Sequence, residues 1–220
     1  MDRLAALAPH AGLFCSGLLM TWLLTALGFA GGCALGIGVT VMRISPVSPL
    51  RGSAELYVQV FRNIPGVTLL AVLVYALPSL ELVLPYFVCA LMCVILIPAA
   101  FCSEFLMAGI RTVPPGQVEA ARALGMGFMQ IVTVVVLPQA LRASVLPLTS
   151  LLIATLLTTA LASQVPLEPA ELTGVVASIS TYEGVGALEA FIVAAVLYCA
   201  SALAIGWAGS ALDRRLRRLP

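Results

Sequence analysis

Residues 119–138 read EAARALGMGFMQIVTVVVLP. The stretch is an island of charged, polar and Gly positions in a chain that is otherwise lipid-soluble. Just upstream, Pro114-Pro115 breaks any helix, because proline lacks the backbone N–H and clashes with the preceding turn. Residues 117–124 then hold good helix formers, and Val118 is their only β-branched member. Gly125 and Gly127 interrupt them, and an apolar run resumes over 128–136. The pattern predicts two short helices joined at a Gly turn outside the hydrocarbon. Glycine suits that turn because it takes positive φ without penalty. Ala120 and Ala121 are expected to leave a smooth face open to close approach by a partner, with Glu119 as a charge at its tip.

The composition around this island is that of a membrane protein. Of 220 residues, 61% are hydrophobic and 10% charged, with a mean hydropathy of +1.11. Soluble domains carry about 25% charged residues, whereas each charge costs about 2.5–3.5 kcal/mol at a membrane-helix centre. A net charge of +1 gives no basis for a nucleic-acid partner. All 11 basic residues are Arg. A phosphate-binding loop of the G-x-x-x-x-G-K-[ST] type requires a Lys, so ATP hydrolysis is expected to come from another polypeptide. The six Cys lie in apolar runs and His10 is the single His. No metal-ligand spacing is present, and the thiols read as small packing groups.

About 20 apolar residues cross a bilayer as a helix. Residues 13–42, 66–84, 85–103, 143–162 and 185–209 are the expected spans. The second is the shortest and contains Pro78. The first is too long for the apolar core of a signal peptide and reads as a retained span. Arg43, Arg51, Arg62, Arg111, Arg122, Arg142, Arg214, Arg215, Arg217 and Arg218 then fall on one side, and only Arg3 on the other. Glu81, Glu168, Glu171 and Glu183 lie on that other side, and Glu168 and Glu171 read as solvated loop charges. The positive-inside rule makes the Arg-rich side cytoplasmic, with the N-terminus outside and the C-terminus inside. The C-terminal DRRLRR reads as an anchor beside anionic lipid. Gly28, Gly32 and Gly36 permit a close helix contact, either within the chain or between subunits.

The spacing of Glu119-Ala120-Ala121, Gly125 and Leu137-Pro138 resembles the EAA loop of permease subunits of bacterial ABC importers. The longer run IRTVPPGQVEAARALGMGFMQIVTVVVLPQALRASVLP resembles their polar amino-acid branch. So do Phe61-Arg62-Asn63-Ile64-Pro65, Ser103-Glu104, Leu161-Ala162-Ser163 and Glu171-Leu172-Thr173. The resemblance implies an all-α, MetI-like type I importer permease of about five spans in the bacterial inner membrane. It implies one transmembrane domain over residues 1–220, with the coupling loop at about 111–138. It also implies a second permease subunit, an ABC ATPase dimer that holds the ATP and Mg, and a periplasmic or lipid-anchored solute-binding protein. No cofactor or catalytic residue is expected in this chain. Docking of the ATPase is assigned to Glu119, Ala120, Ala121, Gly125, Leu137 and Pro138. Arg62, Glu104, Thr158, Thr159, Ser163 and Gln164 are candidates for the solute path or its gate. Helix packing, interfacial pairing or snorkelling would also explain them.

The chain departs from the branch at Leu157, Thr158 and Met107, where charged groups are usual. That favours pairing with a different permease chain over a second identical copy. Permeation of a different small solute remains open. A self-sufficient secondary transporter would show paired inverted repeats, and none is evident.

Overall fold

The computed structural model describes residues 7–182 and 187–216, and every regular element among them is helical. Arg3, Glu183, Arg217 and Arg218 lie outside the described residues. The helices are α1 (Ala8–Arg43), α2 (Ser48–Asn63), α3 (Gly66–Leu80), α4 (Tyr86–Ile110), α5 (Pro115–Ala123), α6 (Phe128–Ala143), α7 (Val145–Gln164), α8 (Leu172–Tyr182) and α9 (Ala187–Leu216).

Four of them, α1, α4, α7 and α9, are long and apolar enough to span a bilayer. The second expected span is shorter than its apolar run: α3 ends at Leu80, where Glu81 takes a left-handed conformation (φ 62°). It meets α2 at 103°, and the count reaches five only with this bent pair taken as one span. Helix α2 lies between the first two expected spans, where the sequence reading placed Arg43, Arg51 and Arg62 and named no helix. Its apolar positions Ala54 and Val58 are four apart, a spacing that turns one helical stripe inward.

Two prolines shape their helices in the same way. Proline at position i cannot donate to the carbonyl at i−4 and crowds it. Ahead of Pro78 and ahead of Pro138 the backbone widens to π-helical turns, over Val72–Ala76 and Ile131–Val136. In each case the residue just before the proline bonds five residues back, Leu77 N–H to Val72 O and Leu137 N–H to Val132 O.

The chain divides into two compact units. The first is Met1–Ala30, Ile64–Ile95 and Leu152–Ile205; the second is Gly31–Asn63, Leu96–Leu151 and Gly206–Pro220. Within the first, Phe14 of α1, Leu172, Val175 and Ile179 of α8, and Ala190 and Ala194 of α9 form a buried cluster. A Cβ at Gly28 would lie 2.8 Å from the Val94 carbonyl oxygen of α4. Within the second unit, a Cβ at Gly36 would lie 2.8 Å from the Ala99 carbonyl oxygen. These two glycines therefore serve contacts between helices of the same chain.

Candidate functional site

The charged island folds as the two helices α5 and α6. Helix α5 ends in a Schellman turn: Met126 N–H donates to Ala121 O (3.1 Å) and Gly125 N–H to Arg122 O (2.9 Å). Gly125 sits at φ +77°, the left-handed position that this turn requires. A side chain there costs about 1–2 kcal/mol. Beneath α5, Ala121 packs with Ile131 and Val136 of α6, joined by Ile110, Val118 and Met126. Gln139 Nε2 donates to Gln117 Oε1 (2.6 Å) and ties α6 to α5. Helix α4 meets α6 closely: a Cβ at Gly109 would lie 2.6 Å from Ala140 O, and Ser144 Oγ donates to Phe105 O (2.9 Å).

One expectation is corrected here. Ala121 is 5% exposed and faces the apolar cluster, so it is not part of a smooth outer face with Ala120. A helix turns about 100° per residue, and consecutive alanines cannot share a face. The outward residues are Glu119, Ala120, Arg122 and Leu124, the last 82% exposed. Leu137 is half-buried and Pro138 exposed on α6, the helix that supports α5.

A second constellation joins the ends of α1 and α2 to the side of α4. Glu104 Oε1 lies 2.9 Å from Arg43 Nη1, and Oε2 lies 3.5 Å from Arg62 Nη1. Arg43 also donates to Ser103 Oγ (3.3 Å), which accepts from Thr40 Oγ1 (3.2 Å). The Arg62 guanidinium carbon stands 5.6 Å from the centre of the Phe101 ring, a cation–π distance. One carboxylate between two guanidinium groups leaves a net charge of +1. Glu104 directly follows the expected span 85–103, but the helix does not end there: α4 continues to Ile110. The sequence reading missed Arg43, counting it only as a charge that sets topology. Its signal was a formal charge at the end of an apolar helix, with a carboxylate available inside another.

The remaining candidates lie at the C-terminal end of α7. Thr159 is buried and donates to Leu156 O (2.7 Å), while Thr158 is half-buried and donates to Ala154 O (2.7 Å). Ser163 and Gln164 line a cavity of about 520 Å³ together with Glu168, Gly174, Ser178 and Thr181. Gln164 Nε2 donates to Ser163 Oγ (3.3 Å), and Thr158 and Thr159 do not line this cavity.

Glu171 corrects the sequence most sharply. It was expected to be a solvated loop charge, yet its exposure is 0%. Its Oε2 accepts from Thr173 N–H (2.8 Å) and the Tyr198 hydroxyl (3.0 Å), and its Oε1 from Gly174 N–H (2.7 Å). Burial pushes the carboxyl above the usual carboxylate range, and these donors pull it part of the way back. The next residue is held as well, with Leu172 N–H donating to Thr21 Oγ1 (3.1 Å). Glu168, three residues before the capping Glu171, is exposed as expected.

Residues 32–218 match the model of the binding-protein-dependent transport system inner membrane component family. The chain belongs to that family. It is a multi-pass permease subunit of an ABC importer. A probable glutamine ABC transporter permease of Bacillus subtilis is 33% identical over 66% of this chain and 68% of its own. An arginine transport system permease of the same organism is 29% identical over 97% of this chain and 96% of its own. Among solved structures, an amino acid ABC transporter with histidines superposes with a TM-score of 0.86 at 29% identity, covering 96% of this chain and 97% of that one. In this permease the island 111–138, singled out by its spacing, is a folded pair of helices with an exposed charged tip.

Proposed function

We propose that this permease carries a polar amino acid or a close relative across the inner membrane, driven by a separate ATPase dimer that docks on α5. The observation that carries the reading is the α5–α6 pair. A helix closed by a glycine turn, backed by an apolar cluster, presents Glu119, Ala120 and Leu124 outward. Such a rigid tip transmits force, because its packed underside cannot yield without exposing Ala121, Ile131 and Val136. The solutes named for the relatives, glutamine and arginine, support an amino acid as cargo. The absence of Lys supports hydrolysis in another chain, which would hold ATP and Mg. A periplasmic or lipid-anchored binding protein would deliver the solute.

The distribution of Arg supports a cytoplasmic α5–α6 pair, a periplasmic segment 164–184, an outside N-terminus and an inside C-terminus. Reporter fusions at Gly116 and Gly174 test this orientation. Cytoplasmic-type activity at Gly116 and periplasmic-type activity at Gly174 are expected, and the reverse pattern overturns the reading.

For the pathway itself, Arg43, Arg62 and Glu104 are proposed as an inner gate, with Thr158, Thr159, Ser163 and Gln164 towards the outer end. Glu104 is already engaged by two Arg, so this chain supplies few free charges for a zwitterion. The uncharged Leu157, Thr158 and Met107 point the same way. A different permease chain is therefore the proposed partner. Co-purification from native membranes with mass spectrometry of the permease band tests it. Active transport by this permease alone, with its ATPase and binding protein, excludes the mixed pair.

A further inference from the structure

The Glu171 carboxylate does more than cap a helix. Its three donors come from two elements, because Thr173 and Gly174 begin α8 while Tyr198 lies in the middle of α9. The Tyr198 hydroxyl also lies 3.2 Å from Thr173 Oγ1, and the Thr159 side chain adjoins it. On the other flank, Thr21 of α1 takes the Leu172 N–H. The first turn of α8 is thereby held to α1 and α9 by polar bonds within a buried setting. An enclosed polar network of this kind rigidifies what it joins, since an opened bond leaves an unsatisfied group.

The same helix forms a wall of the 520 Å³ cavity, through Gly174, Ala177, Ser178 and Thr181. The facing wall is the segment from Ser163 to Ala170. The two walls come close where α8 begins: a Cβ added at Gly174 would lie 3.1 Å from the Ala170 Cβ and 4.0 Å from the Ser163 Cα. A shift of the first turn of α8 would therefore move one wall of the cavity against the other.

We propose that Glu171 and Tyr198 form a clasp that positions α8 for the acceptance of delivered solute, so that Glu171 is a positioning residue of the transport cycle. This rests on the proposed function, in which the segment 164–184 faces the delivering protein. Without the clasp, α8 samples orientations that do not accept solute. The apparent affinity then falls by the fraction of the competent orientation, while saturation restores it by mass action.

The test uses the complete transporter in proteoliposomes, with radiolabelled L-glutamine, L-arginine and L-cystine as probes and the binding protein titrated. Tyr198→Phe keeps the ring and the N–H bonds of the helix cap and removes the hydroxyl, with its contacts to Glu171, Thr173 and Thr159; Glu171→Gln removes one acceptor. Rates are normalised to folded permease in the membrane. For Tyr198→Phe the half-saturating concentration of loaded binding protein should rise several-fold, and for Glu171→Gln on the order of tenfold. The maximal rate should change less than twofold in both. The double variant should match Glu171→Gln alone, because one clasp is broken twice. Unchanged half-saturation in both variants overturns the proposal, as does an equal fall in rate at all concentrations, or effects that multiply independently. A wild-type transporter inactive with every probe would instead count against the amino-acid reading.

Discussion

Glu119 and Glu171 look alike in the sequence, each a carboxylate in or next to a short helix in a polar interruption between apolar runs. The structure treats them in opposite ways. Glu119 stands in solvent on the outer side of α5, and its helix is held by apolar packing beneath it and by the Gly125 turn. Glu171 is fully enclosed and is itself what holds the start of α8. The first charge is free to meet another molecule; the second is consumed within the chain. The contrast shows that a loop charge in a membrane protein is not placed by local composition. It is placed by whether neighbouring elements bring donors to it.

The largest expected effects separate docking from folding. Gly125→Val forces a β-branched residue into a left-handed position, and Glu119→Arg reverses the charge on the outer face. Both should reduce transport at least tenfold, to background in the stronger case, while membrane levels stay near wild type. Transport assays beside immunoblots of membranes decide this. Wild-type transport by Glu119→Arg with intact ATPase association removes Glu119 from the docking surface. Loss of the protein from the membrane would give it the structural role assigned here to Glu171.

A smaller effect is expected at Glu104, which lies between the two extremes. Glu104→Gln leaves Arg43 and Arg62 beside each other on one side of α4 without a counter-charge. A fully buried pair broken in this way costs about 3–5 kcal/mol. The Glu104 side chain keeps 31% exposure, so about 1–3 kcal/mol is expected, seen as a lower unfolding temperature of purified permease. Replacing all three residues by uncharged ones should recover much of that loss. A lower unfolding temperature in the triple variant than in Glu104→Gln would mean that the cluster does not act as one unit.

The last pair of variants, which ends on the smallest effect, sharpens the comparison directly. Glu171→Ala leaves the N–H groups of Thr173 and Gly174 and the Tyr198 hydroxyl without their acceptor, at about 1–3 kcal/mol for each group left unsatisfied. Glu119→Ala removes an exposed side chain and should lie within about 0.5 kcal/mol of wild type. Unfolding of the two variants side by side in one detergent measures the difference. Equal losses would erase the distinction between the two glutamates.

Much of the molecule was legible in the chain itself. The apolar runs became α1, α4, α7 and α9, because in lipid a segment must satisfy its own backbone and only a helix does so. The turn at Gly125 was readable too, since positive φ is cheap for one residue type alone. These are local constraints, carried by composition, length and backbone chemistry. The second span was misjudged, because hydropathy does not register the bend between α2 and α3 or the left-handed Glu81 that ends α3. Ala121 was misjudged because its inward face is set by Ile131 and Val136, on a different helix. Arg43 and Glu104 meet across 61 positions, Leu172 and Thr21 across 151, and Glu171 and Tyr198 across 27. Burial of a polar group depends on partners that distant segments supply, and only the packed helices bring those partners within hydrogen-bond reach.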